Sequence, residues 1–245
     1  TTVPYVATDD RPAVITVPNL RPLCSPTAHL GADIYEIFHV VFGVRDGVTP
    51  PHTAPYAASY HHAVLAAPAD APLPPRAAWT ALYAQAVPVL AGVTAAPGHH
   101  GVCIPIHVPG HWVLLVLDLP TATFTVYDSL AARGHPCSTV EAAIGGLQAR
   151  LSSMAASLSL TIAWQPTVWA QRSGLAQQYD VADPTAPGGD CLLFVACWSV
   201  CVIAGVTPDL LTIQQRHMEF VRAQLLAAML DGWRHPCDRL PPCRP

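Results

Sequence analysis

Apolar residues at Leu30, Ile34, Ile37, Phe38 and Val41 recur with a helical period and predict a helix over Thr27–Phe42. A second amphipathic helix is expected over Arg76–Leu90, with Trp79, Leu82, Tyr83 and Ala86 on one side and Pro88 near its end. The period then changes. Val102–Val108, Trp112–Asp118 and Thr123–Asp128 are apolar, β-branched runs separated by the turns Pro109–Gly110 and Leu119–Ala122, and predict neighbouring strands of an antiparallel sheet. Ser138–Leu158 returns to a helical pattern. Leu160–Trp169 reads as a fourth strand, a loop runs on to Gly189, and Cys191–Gly205 and Thr212–Leu230 are the closing helices. Thr1–Arg21 reads as extended, with a short strand at Ala13–Val17. Asp46–Pro75, rich in Pro, His and Ala, reads as loop with a helical piece near Tyr56–Leu65. Helices, then a strand cluster, then strand, loop and buried helix indicate an α+β fold rather than a doubly wound one. There is no internal repeat or long low-complexity linker. Residues 1–245 are therefore expected to form a single domain, helical over about 1–100 and sheet-centred over about 101–245.

Composition narrows the function classes. Hydrophobic residues make up 51% of the chain and charged residues 11%, yet no apolar run reaches the length of a membrane span. The longest, Leu192–Val206, is interrupted by Cys197, Ser199 and Cys201 and reads as a buried core helix. Thr1–Asp10 lacks the basic start and apolar middle of a secretory signal. A net charge of −4 without a basic cluster gives no support to nucleic-acid binding. The 8 cysteines contain no C-x-x-C pair, which points to reduced thiols in an intracellular compartment. Cys237 and Cys243 flank a Pro-rich tail and either pair or stay free.

Histidines recur at a second, metal-like spacing. His99, Cys103, His107 and His111 recur every four residues, a zinc-ligand row if helical, but Pro105, Pro109 and Gly110 oppose a helix. On a strand the spacing still shares a face, which keeps a zinc hydrolase as a remote alternative; no metal and no cofactor is expected. His61 and His62 read as surface loop.

Cys191 is the strongest candidate for chemistry. It follows Pro187-Gly188-Gly189-Asp190 and opens an apolar helix, where free amides and the positive dipole end stabilise a thiolate. His111 starts one strand and Asp128 ends the next. If a hairpin turns near Pro120–Thr121, the two side chains meet, as a cysteine nucleophile requires of its imidazole and orienting carboxylate.

Several ordered segments carry a resemblance. Ile104-Pro105-Ile106, His111-Trp112, Leu115, Asp118 and Tyr127-Asp128-Ser129 resemble the core signature of the ubiquitin-like-protein proteases, the family that holds the sentrin-specific (SUMO) proteases. Gly189-Asp190-Cys191-Leu192-Leu193-Phe194-Val195 is similar to that family's nucleophile segment. Ile15, Leu20, Leu23, His29-Leu30, Ile34 and Phe38 resemble its opening segment, Trp79 an aromatic of a pre-strand helix, and Ile213, His217-Met218, Arg222, Leu226 and Leu230 its closing helix.

The resemblance implies a papain-like fold: a central mixed sheet with the nucleophile at the N-terminus of a buried helix. It implies Cys191 as nucleophile, His111 as general base and then acid, Asp128 as orienter, and Gln178, beside Gln177, as oxyanion donor. Trp112, with His29, Gly189 and Asp190, would contact substrate, Trp112 roofing a narrow channel for an extended Gly-Gly tail. Three departures stand out. His29 occupies the place of a channel Trp, and Leu192 replaces the Gly that usually follows the nucleophile. Gln178 lies far enough before Cys191 to require an insertion at Tyr179–Gly188.

The expected activity is a thiol peptidase or isopeptidase acting after the terminal Gly-Gly of a ubiquitin-like modifier or its conjugates, monomeric and working in cytoplasm or nucleus. For a viral or effector protein those compartments would be a host cell's. Alternatives are a viral or effector protease of the same fold cutting other Gly-containing sites, a same-fold acyltransferase, and a weakly catalytic binding module. All 12 basic residues are Arg. A GC-rich codon preference accounts for this together with the abundant Ala and Pro, although an enzyme working among ubiquitin ligases would gain from offering no acceptor lysine.

Overall fold

Alternation is weak along the strands His111–Asp118 and Gly101–Val108, and their burial explains it. Every residue from His111 to Leu117 is buried, so both faces of that strand are covered and no polar face is needed. The computed structural model describes residues 2–6, 12–16, 20–25, 28, 30–31, 34–35, 86–94, 101–108, 111–129, 137–170, 189–203, 208 and 213–232.

Strands β1 (Thr2–Val6) and β2 (Pro12–Thr16) form an antiparallel pair within the segment expected to be extended. The central sheet follows the order β3 (Gly101–Val108), β4 (His111–Asp118), β5 (Thr123–Tyr127) and β6 (Val168–Trp169). The β3–β4 and β4–β5 pairs are antiparallel and β5–β6 is parallel, so the sheet is mixed. Pro105 sits in β3, an edge strand, where its missing N–H interrupts no inner ladder. Val108 pairs with His111, so only two residues connect β3 to β4. At the other end the Asp118 carboxylate accepts hydrogen bonds from the Thr121 amide at 2.9 Å and hydroxyl at 2.7 Å, closing the β4–β5 turn.

The strand expected over Leu160–Trp169 is reduced to β6. Pro166 cannot donate to a ladder, and the preceding residues bond elsewhere. The Gln165 amide reaches the Ala122 carbonyl at 3.1 Å, and the Trp164 indole donates to Ser152 at 2.9 Å while stacking on Phe124.

Helices α1 (Cys137–Ser157), α2 (Cys191–Ile203) and α3 (Met218–Gly232) complete the described core. The last helix begins later than its periodicity predicts. A 3₁₀ turn, Gln215–His217, precedes it, and Gln214 and His217 cap that turn reciprocally. Helix α2 packs across β4 and β3, and α1 against β3. From Cys191 to Val195 every residue of α2 is buried, as is Trp198, which leaves no polar stripe to mark it as amphipathic. Trp198 lies between Tyr127 of β5, at 6.0 Å, and Phe194 of its own helix, at 5.6 Å, fixing α2 against the end of β5.

Of the two N-terminal helices expected, residues 34–35 and 86–90 are helical among those described, and the latter run through Pro88. Ala28, Leu30 and Gly31, within the first expected helix, are described and not helical; the other residues of both, the Tyr56–Leu65 piece and Trp79 lie outside the described residues, as do His61, His62, His99, Cys237 and Cys243. No described helix is long and apolar enough to cross a membrane. The arrangement is α+β, with a mixed sheet and the helices packed on it.

Candidate active site

The β4–β5 register brings the histidine and aspartate together. Leu114 faces Tyr127, so continuing the ladder by one step would set Asp128 against Val113. His111 lies two residues beyond Val113 and therefore on the same face of the sheet. Diagonal neighbours of this kind stand about 7–8 Å apart, within reach of an imidazole and a carboxylate. His111 Nε2 and Asp128 Oδ1 are 2.7 Å apart, and both residues are buried.

With Nε2 committed to Asp128, Nδ1 is the nitrogen left for a thiol. Cys191 stands at the first position of α2, near enough to His111 to contribute to its raised pKa. Burial works to lower the His111 pKa. Hydrogen bonds to Asp128 and Cys191, with the charges of the same two groups, outweigh burial and raise it to about 9. The imidazole thus holds its proton more firmly than a free imidazole does. Cys103 shows the contrast. It is fully enclosed against Ser199, and burial pushes its thiol up to about 12, an inert core position.

The start of α2 carries backbone amides with no acceptor in the helix. Leu193 and Phe194 donate to the Asp190 carbonyl at 2.9 and 3.1 Å, which anchors the first turn. The amides of Cys191 and Leu192 precede those bonds and have no acceptor within the helix. Gly189 and Asp190 are both buried at this turn.

Asp190 was expected to contact substrate. Its carboxylate is instead turned to the interior, only 2% exposed, with Oδ1 2.6 Å from Arg222 Nε and Oδ2 2.5 Å from Gln215 Nε2. Arg222 extends further, to the carbonyls of Pro22 at 2.5 Å and Ala28 at 3.1 Å. A carboxylate and a guanidinium can be buried together only when their donors and acceptors are matched in this way. Sequence reasoning missed Arg222 and Gln215 as parts of the site. A signal was available: Met218, Arg222 and Leu225 form a helical stripe, and a charge within an apolar stripe points to a buried partner.

Trp112 follows His111 on β4. It is 7% exposed, and its ring lies 4.7 Å from that of His107, its cross-strand partner, tilted by 51°. Gln177, Gln178 and His29 lie outside the described residues. Among the described residues no three His, Cys, Asp or Glu side chains gather as metal ligands.

This arrangement can be set against known proteins. The C-terminal Ulp1 protease domain in complex with Smt3, the yeast ortholog of SUMO, is similar with a TM-score of 0.56 and 17% identity, over 94% of this chain and 90% of that one. A de-sumoylating protease gives 0.57 and 14% identity, over 96% and 93% of the two chains. The catalytic domain of the Chaetomium thermophilum Ulp1-like SUMO protease gives 0.53 and 20%, over 84% and 74%. At such identities these structures establish the fold. No curated protein matches the sequence. The family model described as the Ulp1 protease family, C-terminal catalytic domain, matches residues 100–231, which span β3 to α3 and more than half of the chain. With the fold and the family model in agreement, the chain belongs to the Ulp1 protease family and is a cysteine peptidase.

Proposed function

We propose that Cys191, His111 and Asp128 form the catalytic triad of a peptidase or isopeptidase that cleaves after the C-terminal Gly-Gly of a ubiquitin-like modifier. One observation carries the triad: the buried His111 imidazole hydrogen-bonds to Asp128 through Nε2 at 2.7 Å, and Cys191, at the start of α2, is near enough to help raise its pKa. Support for the modifier comes from the fold shared with a Ulp1 domain bound to Smt3, and SUMO-type modifiers are the first to test.

In this mechanism the Cys191 thiolate attacks the carbonyl carbon of the terminal glycine. The oxyanion is held by amides at the start of α2, with Gln178 as the expected side-chain donor. His111 gives its proton to the leaving amine, the C–N bond breaks and a thioester remains. Water then loses a proton to His111 and attacks the thioester, releasing the modifier's carboxylate and restoring the thiol. Asp128 keeps the imidazole oriented throughout. Trp112, beside His111, is suited to close over a side-chain-free Gly-Gly tail. The nucleophile must stay reduced, so a cytoplasmic or nuclear setting belongs to the same proposal.

Propargylated SUMO, ubiquitin and a Nedd-type modifier provide the test. Covalent capture of one of them at Cys191, abolished in Cys191→Ala, is the expected result. Full cleavage of modifier–fluorophore conjugates by Cys191→Ala would overturn the triad, and capture of none of the three would overturn the substrate class.

A further inference from the structure

An aspartate immediately before a helix ordinarily folds its carboxylate over the first free amides as an N-cap. At Asp190 that would have two chemical consequences. The carboxylate would occupy the amides of Cys191 and Leu192, which an oxyanion needs, and a negative charge would stand beside the nucleophile and oppose its thiolate. Neither arises here. Oδ1 is held by Arg222 Nε at 2.6 Å, with Nη2 2.5 Å away, and Oδ2 accepts from Gln215 at 2.5 Å. The pair is almost fully buried, with Arg222 3% exposed, so its charges are poorly screened by solvent.

We propose that Arg222 is a positioning residue for Cys191: it draws the Asp190 carboxylate away from the start of α2, neutralises it, and leaves the helix amides and their positive field to the thiolate and the oxyanion. The proposal rests on Cys191 being the nucleophile. Arg222 also ties this unit to the carbonyls of Pro22 and Ala28, so the N-terminal segment, α2 and α3 converge on one guanidinium. Each guanidinium nitrogen has an acceptor, a forked geometry that lysine cannot reproduce.

Among the described residues, the titratable and charged groups around Cys191 are His111 from β4, Asp128 behind it after β5, Asp190 beside it and Arg222 from α3. Next to Gln215, Arg216 donates to His217 at 3.3 Å, and Glu219 stands on an exposed turn of α3. Of these groups, the variants below change only Asp190 and Arg222.

The test is the pH dependence of Cys191 alkylation by iodoacetamide, read by mass spectrometry of the Cys191 peptide in the full chain. Arg222→Met leaves the carboxylate unpaired beside the nucleophile, and the acid limb moves to higher pH by about one unit. Asp190→Asn leaves an unpaired guanidinium, and the limb moves to lower pH. The double variant returns towards wild type, which a merely structural role would not produce. Kcat for the peptidase reaction falls in Arg222→Met with KM little changed. Acid limbs that coincide with wild type, or that move in the same direction in both single variants, overturn the proposal. If Arg222→Met does not fold, Asp190→Asn alone decides: a limb at or above that of wild type overturns it. Arg222→Lys keeps the charge but loses the fork, so it is expected to keep the limb and lose melting temperature. Alkylation needs no modifier, so failure here is distinct from failure of probe capture, which would count against the substrate class instead.

Discussion

His111 and Asp128 are 17 residues apart in the chain, and their side chains meet at 2.7 Å across the mouth of the β4–β5 hairpin. The contact depends on the whole register between them, because slipping one strand by a single residue would send one of the two side chains to the opposite face. The turn that sets this register is closed by Asp118 and Thr121, at the far end of the hairpin from the site.

The raised His111 pKa predicts the alkaline side of the rate profile. In the proposed mechanism the attacking form pairs a thiolate with an imidazolium, so kcat/KM is expected to fall as pH rises through about 9, a property of the coupled pair. Asp128→Asn removes a hydrogen bond and a charge that hold the proton, so this limb should move to lower pH. Kcat should fall by about 10²–10⁴-fold with the fold retained. A pH–rate series on both proteins checks it; an unmoved limb would separate Asp128 from the imidazole's titration.

The same shift predicts stability. The folded pKa of His111 lies above its ordinary value of 6.5, so its contribution is fully present below 6.5 and is lost as pH rises through about 9. The loss is on the order of 3 kcal/mol. Melting temperature is expected to fall across this window, and Asp128→Asn should flatten the fall. Thermal melts monitored by circular dichroism provide the measurement.

Trp198 is fully buried and joins α2 to β5 through its contacts with Phe194 and Tyr127. Trp198→Ala is expected to destabilise the protein by about 3–5 kcal/mol, by lost transfer energy and an unfilled cavity. Urea unfolding with an unchanged slope would show that the loss lies in the native state.

Two residues past the end of α1, Ser159 lies in the left-handed region, φ 58. Its amide bonds to the Ala156 carbonyl at 2.9 Å and the Leu160 amide to Ala155 at 2.8 Å, a pattern that glycine fits best. Ser159 is exposed, so replacing it forfeits no packing. Ser159→Gly should therefore raise stability by about 0.5–1 kcal/mol without altering activity, measured by chemical denaturation.

Much of the fold was legible because it is local. The three antiparallel strands, α1 and the start of α2 follow from runs of apolar residues bounded by turn residues. Leu160–Trp169 misled because its apolar residues serve contacts other than a ladder: Trp164 stacks on Phe124, and Pro166 breaks the pairing. Asp190 misled differently. The resemblance implies a substrate contact there, and nothing nearby in the chain announces Arg222, 32 residues later.

By itself the sequence determined the strand order of the hairpins, the helix start that presents Cys191, and the ordered His-Trp, Asp-Ser and Asp-Cys segments. These are properties of spacing and local pattern. Only the tertiary structure decided which partners the buried polar groups would take: the imidazole on Asp128, and Asp190 held by Arg222 and Gln215. A buried charge must be matched by whichever donor the packing brings within reach, and packing joins residues far apart in the chain.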